Sequence, residues 1–172
     1  ENDYSIFPNP FENSITITVS GLETFVYREG SGPPLVMLHG MAATSDCWTY
    51  TIQKLKASYT TIAPDLPGHG HATGHAYPYG LDFYLRWLEG LLEALTIEKP
   101  ILMGASMGGA LSLAYTVAHP DRVERLILMA TAGEFKLQPM LKLALSLPIW
   151  LLKIIEPFTR KWLFASPQTL KQ

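Results

Sequence analysis

The segment that most constrains the fold is Leu102-Met103-Gly104-Ala105-Ser106-Met107-Gly108-Gly109, which joins two differently patterned stretches. The apolar run beginning at Pro100-Ile101 predicts a buried strand, and residues 110–115 after the segment favour a helix. Small residues around Ser106 permit the sharp, strained turn that lifts a side chain clear of a sheet. We therefore predict a strand–turn–helix unit with Ser106 at its apex.

Glycines two residues before and two residues after a serine at such a junction are the pattern of a nucleophilic serine. A helix beginning at Ser106 would direct unpaired backbone N–H groups and the positive end of its dipole at an oxyanion formed there. The pentapeptide alone is common by chance, so the flanking strand and helix carry the interpretation. Ser106 is the candidate catalytic residue, and Gly104 and Gly108 permit its turn.

The rest of the chain alternates strand and helix patterns. Residues 15–19 and 24–28 predict a hairpin, and further strands are predicted at 35–38, 59–63 and 123–130. Apolar residues recur at helical spacing from Leu81 to Leu95, and a helix carrying Trp48 is predicted to be capped by Thr44 or Ser45. An antiparallel start followed by βαβ units predicts an α/β fold with a mostly parallel sheet.

Composition excludes several classes of function. A chain of 172 residues with a net charge of −2 and no cluster of basic residues is not expected to bind nucleic acid. A single cysteine excludes an internal disulfide and a cysteine-cluster metal site. No apolar run is long and uncharged enough to predict a membrane span. The sequence predicts no cofactor or metal and indicates no compartment.

Four motifs occur in a fixed order: His39-Gly40 after a strand, Asp65-Leu66-Pro67-Gly68-His69-Gly70, the segment around Ser106, and Ala118-His119-Pro120-Asp121-Arg122-Val123. With these residues the chain resembles the α/β-hydrolases, over about residues 15–132 and the first six strands of that fold. The resemblance implies that Ser106 is the nucleophile and that the backbone N–H groups of Met41 and Met107 form the oxyanion hole. His39 and Gly40 would support that loop.

The serine narrows the chemistry that the resemblance implies. Family members that open epoxides or displace halide carry aspartate at this position, so Ser106 favours the esterases, lipases and hydrolases of carbon–carbon bonds. The implied substrate is a small molecule with an ester-like or carbon–carbon bond and an apolar group. Apolar residues 136–164, interrupted by three prolines, resemble the start of a helical cap. We expect a core at 1–132 and a truncated cap at 133–172.

The general base is missing from its expected place. In this family the catalytic acid and histidine follow the serine along the chain, yet the five histidines are His39, His69, His71, His75 and His119. Three explanations remain open. A complementary C-terminal fragment supplies the base, a swapped subunit supplies it, or the chain is a non-catalytic binding or interaction module.

Other polar residues have simpler interpretations. His39 is expected to order the oxyanion loop rather than to act as the base. The cluster of His69, His71 and His75 has a spacing that metals accept, but the resemblance implies that His69 belongs to a structural turn, and no carboxylate follows Asp65 nearby. Residues 71–80 are interpreted as a surface loop. Asp65 is expected to form a structural turn. Glu134 is a weak candidate for the catalytic acid, with a solvated loop residue as the alternative.

Overall fold

The computed structural model describes residues 13–72 and 79–131. Within these ranges the strands are β1 (Ser14–Val19), β2 (Leu22–Glu29), β3 (Pro34–Leu38), β4 (Thr60–Pro64), β5 (Ile101–Ala105) and β6 (Arg125–Met129). The α-helices are α1 (Thr49–Leu55), α2 (Leu81–Ala94) and α3 (Met107–Ala118). Short 3₁₀ helices lie at Ser45–Trp48 and Pro120–Arg122. The predicted cap, residues 133–172, lies outside the described residues.

The strands form one six-stranded sheet in the order β1-β2-β4-β3-β5-β6. β1 and β2 form the predicted hairpin, and β2 also pairs antiparallel with β4. β4, β3, β5 and β6 pair in parallel. The prediction of an α/β fold with a mostly parallel sheet is therefore confirmed.

Apolar residues on both faces of the sheet build the core. Successive side chains of a strand point to opposite faces, so β3 serves two clusters. Val36 and Leu38 pack in one cluster with residues of α2 and α3 such as Trp87 and Leu111, whereas Leu35 and Met37 pack in another with Trp48 and Ile52. The unbroken apolar run of β3 reflects this burial on two sides, which is typical of parallel sheets.

The helices begin and end close to the residues that the sequence predicts. The side chain of Thr44 accepts a hydrogen bond from the Asp46 amide at 3.3 Å, which confirms one of the two predicted caps. The cap begins a 3₁₀ turn, and the α-helix follows at Thr49. α2 ends one residue before the predicted Leu95.

Parallel pairing brings three loops to one edge of the sheet. Because β3, β4 and β5 run in the same direction, the segments after Leu38, Pro64 and Ala105 all leave from the carboxyl edge. In open α/β sheets this edge is where ligands bind. The His39-Gly40 motif, the Asp65 motif and Ser106 therefore belong to one region.

β6 lies at the end of the described sheet and is largely exposed. Ile127, Leu128 and Met129 have 38%, 42% and 46% of their surface exposed. Strands of parallel sheets are ordinarily covered on both faces. In the structure as described, this edge presents an apolar surface.

Candidate active site

Ser106 lies at the turn between β5 and α3 in a strained conformation. Its φ of 49° and ψ of −115° lie in a region that residues other than glycine rarely adopt. The Ser106 amide donates to the Met129 carbonyl at 3.0 Å, and its carbonyl accepts from the Ala110 amide at 3.0 Å. Pairing with β6 on one side and helix formation on the other therefore hold the turn in place.

Gly104 and Gly108 allow this turn because backbone occupies the space that a side chain would need. A Cβ at Gly104 would lie 2.6 Å from the Gly109 Cα, and one at Gly108 would lie 2.5 Å from the His39 carbonyl oxygen. The first turn of α3 thus packs directly against the end of β3. The strand-to-helix unit predicted around Ser106 is present, with the helix beginning at Met107.

The amino end of α3 faces the same region. No side chain caps the helix at Ser106, and the first amides of an α-helix have no partner within it. The Met107 amide belongs to this set. Its N–H group, together with the helix dipole, makes the surroundings of Ser106 favourable for negative charge.

Gly40 brings the loop after β3 against the serine. A Cβ at Gly40 would lie 3.2 Å from the Ser106 Cβ and 3.7 Å from its Oγ. Met41 follows with a 74% exposed side chain, and Ala42 has a φ of 58°. The structure therefore places Gly40 beside Ser106, with Met41 next in that loop, and Met107 directly after Ser106 in the chain.

His39 is buried, and both of its ring nitrogens form hydrogen bonds. The Leu66 amide lies 2.9 Å from Nε2, and Nδ1 lies 2.7 Å from the Gly40 carbonyl oxygen. An amide N–H can only donate, so Nε2 must accept and the proton must be on Nδ1. Burial lowers the pKa of His39, and His69 lowers it further, whereas the Gly40 carbonyl and Asp65 act in the opposite direction. The ring is therefore neutral and engaged, which is incompatible with its serving as the base for Ser106.

Asp65 is fully buried and accepts two backbone hydrogen bonds. Oδ1 accepts from the Ser45 amide at 2.7 Å and Oδ2 from the His71 amide at 2.8 Å. The ring of His71 also lies 3.4 Å from Oδ2. Sequence reasoning expected a turn former here but missed the contact with Ser45. The signal that could have found it is an aspartate directly after a buried strand, where its charge needs donors from neighbouring loops.

The remaining candidates lie elsewhere or outside the described residues. His119 lies at the far end of α3 from Ser106, and His75 and Glu134 are not among the described residues. In the part of the chain that the structure describes, no group of three metal-ligating side chains occurs and no hydrogen bond joins Ser106 Oγ to a histidine. A base for Ser106 is therefore not found among these residues.

A surface hollow of about 380 Å³ lies at the opposite edge of the sheet. Pro33, Ile101 and Arg125 line it, at the starts of β3, β5 and β6. It is remote from the carboxyl edge that carries Ser106, and it plays no part in the arrangement around that serine.

Comparison with known proteins identifies the fold family. The family model described as the alpha/beta hydrolase fold matches residues 33–172. The chain belongs to this family. The hydrolase assignment agrees with the six-stranded sheet and with the position of the Ser106 turn at its carboxyl edge.

Individual α/β-hydrolases are similar to part of this chain. It is 36% identical over 121 residues to 2-hydroxy-6-oxo-2,4-heptadienoate hydrolase of Pseudomonas putida, covering 68% of this chain and 44% of that protein. A crystal structure of a meta-cleavage product hydrolase from Pseudomonas fluorescens matches with a TM-score of 0.69 and 32% identity, covering 73% of this chain and 48% of the other. Naproxen esterase of Bacillus subtilis matches with a TM-score of 0.67 and 29% identity, over 71% of this chain and 44% of that one.

The match therefore covers less than half of each of these α/β-hydrolases. The aligned part of this chain corresponds to 44% of the heptadienoate hydrolase. Over the residues that the structure describes, no helix combines the length and the apolar character needed to cross a membrane.

Proposed function

We propose that this chain carries the nucleophile and the oxyanion hole of a serine hydrolase. The observation that carries the proposal is the strained Ser106 turn, with the amino end of α3 directly after it and Gly40 beside it. Strain of this kind persists only where the surrounding structure holds it, and it is concentrated at functional sites. The hydrolases and the esterase to which the chain is similar support the same reaction class.

The proposed reaction is acyl transfer through the serine. Ser106 Oγ attacks the carbonyl carbon next to the scissile bond and gives its proton to a base, and the carbonyl oxygen becomes an oxyanion. The N–H groups of Met41 and Met107 donate to that oxyanion, each worth about 3 kcal/mol of the barrier. The oxyanion then re-forms the carbonyl as the scissile bond breaks, and the base gives the proton taken from Ser106 to the leaving group. Water, deprotonated by the same base, hydrolyses the acyl-serine and restores the Ser106 hydroxyl.

The proposed substrate is a small molecule with an apolar group and an ester-like or carbon–carbon bond. The heptadienoate hydrolase and the esterase represent these two bond types among the similar proteins. A carbonyl group is common to both, and the proposed oxyanion hole stabilises the same tetrahedral oxyanion in either case.

We propose that the base reaches Ser106 from a complementary C-terminal fragment or from a swapped subunit. His39 is occupied at both nitrogens by backbone groups, and among the described residues no histidine is hydrogen-bonded to the serine. A serine hydroxyl without a base is a weak nucleophile at neutral pH. The apolar edge at β6 offers a surface against which additional chain could pair.

A fluorophosphonate probe followed by denaturing intact-mass spectrometry tests the proposal. With the fragment or subunit that supplies the base present, we expect one adduct on the wild-type chain, no adduct on Ser106→Ala, and an unchanged adduct on Ser58→Ala, a control at an exposed serine. The same spectrum would show any second polypeptide that supplies the base. An adduct that survives in Ser106→Ala would contradict the assignment of the nucleophile.

A non-catalytic binding module is the second candidate function. The exposed apolar residues of β6 favour this role, since such patches mark interaction surfaces. This role predicts association with another chain and no serine adduct. A labelled Ser106 would reject it.

A further inference from the structure

The loop between β3 and the first 3₁₀ helix is attached at both ends to two consecutive residues after β4. At the near end, the Leu66 amide donates to His39 Nε2 at 2.9 Å. At the far end, the Ser45 amide donates to Asp65 Oδ1 at 2.7 Å. Gly40 to Thr44 therefore form a short loop, and the two residues that hold its ends, Leu66 and Asp65, are adjacent in the chain.

Asp65, which holds the far end of this loop, is itself held in place. The Asp65 amide donates to the Phe25 carbonyl at 2.9 Å, which ties the residue to β2. Its other carboxylate oxygen accepts from the His71 amide at 2.8 Å, and a Cβ at Gly70 would overlap the carboxyl group. A buried, charged acceptor with backbone donors on both sides makes strong, directional hydrogen bonds.

The loop from Gly40 to Thr44 contains a backbone conformation that neighbouring residues must stabilise. Ala42 adopts a φ of 58°, which is strained for a residue with a Cβ. Strained residues persist when the neighbouring structure determines their conformation. Ser45 lies three residues further along, and its amide forms the hydrogen bond that attaches the loop to the carboxylate of Asp65.

Peptide geometry links this support to the oxyanion hole. In a trans peptide the C=O and the following N–H point in opposite directions. His39 Nδ1 holds the Gly40 carbonyl oxygen at 2.7 Å, so the Met41 N–H of the same peptide is turned away from His39. Gly40 lies against Ser106, so a small rotation of this peptide changes where the Met41 N–H points relative to Ser106 Oγ.

We propose that Asp65 is a positioning residue that acts through Ser45 to fix the direction of the Met41 N–H group beside Ser106. The inference rests on the proposed oxyanion role of Met41. Asp65 is fully buried, and its carboxylate binds the backbone amides of Ser45 and His71, so the proposed role is positional. Its carboxylate joins the loops after β3 and β4 so that the Gly40–Met41 peptide keeps one orientation.

Amide hydrogen exchange and chemical shifts of the isotope-labelled full chain test the proposal. Asp65→Asn removes the charge and turns one of the two acceptor oxygens into a donor that must face either the Ser45 or the His71 amide, so the hold on Ser45 weakens in either orientation. We expect the Ser45 and Met41 amides to shift and the Ser45 amide to exchange about tenfold faster or more. Asp121→Asn, at an exposed carboxylate on the 3₁₀ helix after α3, is the control and is expected to leave both amides unchanged. Protected amides of Val36 and Leu102 report that the sheet is intact.

Ser45→Pro removes the same hydrogen bond between Ser45 and Asp65 from the other partner. It removes the donor and directs the ring Cδ at Asp65 Oδ1, which lies 2.7 Å from the Ser45 nitrogen, so the carboxylate must move away from the loop. The backbone itself accepts proline here, because the preceding Thr44 is extended with a φ of −136° and a ψ of 174°. We expect the Met41 amide to shift as it does in Asp65→Asn. An unchanged Met41 amide in either folded variant would overturn the proposal.

Fluorophosphonate labelling of the same samples separates this inference from the proposed function. A lower labelling rate in both variants, with the sheet amides intact, supports a positioning role. If wild-type Ser106 is not labelled in a sample that also contains the chain supplying the base, the proposed function fails. The Met41 amide then still decides whether Asp65 orients the loop.

Discussion

At the scale of single residues, His39 connects the stability of the protein to pH. The neutral ring accepts from Leu66 through Nε2, and protonation would remove that acceptor. The residue was expected to order the loop, and its hydrogen bond to Gly40 shows how it contacts that loop. Neither the tautomer nor the partner at Leu66 is visible in the sequence, because Leu66 is brought there by the pairing of β3 with β4.

We predict that the free energy of unfolding decreases as the pH falls below about 6.5, the ordinary pKa of histidine. Burial lowers the pKa of His39 in the folded chain, so in this range the unfolded chain binds a proton that the folded chain does not. By linkage, stability then rises with pH and is lost on acidification. Urea unfolding between pH 8 and pH 5 measures the slope.

His39→Gln and His119→Gln form the matched pair for this measurement. The first variant is expected to lose the part of the slope between pH 7 and pH 5 that His39 contributes, and the second to keep it. Equal slopes in His39→Gln and the wild type would show that another group controls the acid response.

At the scale of elements, the contact between α3 and β3 determines the geometry around Ser106. Gly108 lies in the first turn of α3, and its missing side chain lets the helix approach the Leu38 and His39 carbonyl groups. The glycine pattern predicted a tight turn from local sequence alone. The identity of the opposing backbone follows from the pairing of β3 with β5.

Gly108→Ala is predicted to destabilise the protein by about 1–3 kcal/mol, the usual cost of overfilling a packed site. Helix propensity alone would make alanine more stable than glycine by about 1 kcal/mol, so the sign of the change identifies the contact. Gly21→Ala is the control, because no atom lies within 4 Å of its added Cβ and only its φ of 81° opposes the change. Chemical denaturation measures both. A Gly108→Ala protein as stable as the wild type would contradict the close approach.

At the scale of the whole molecule, we predict that the exposed edge at β6 mediates association with other chains. Ile127 is 38% exposed on an apolar strand at the end of the described sheet, and unprotected strands of this kind pair with other chains. Whether a strand is exposed is a property of the tertiary structure. The pattern of residues 123–130 predicts a strand but does not show whether a neighbour covers it.

Ile127→Lys is predicted to reduce concentration-dependent self-association while leaving stability within about 0.5 kcal/mol, as is usual for exposed positions. Sedimentation velocity over a range of concentrations measures the change. Thr18→Lys, at an exposed position on β1 at the opposite end of the sheet, is the control and is expected to have no effect on association. Equal association of all three proteins would place the contact elsewhere.

Local patterns in this chain were enough to predict the α/β class, the hairpin, the helix at Leu81 and the turn at Ser106. These features depend on periodicity and on small residues that are close together in sequence, so their physics is contained in short stretches. The neutral tautomer of His39 and the reach of Asp65 to Ser45 depend instead on strand pairing, which joins segments about twenty residues apart or more. Charge, burial and hydrogen bonding at the site become determined only once those segments meet, because each is a property of the neighbours that the fold supplies.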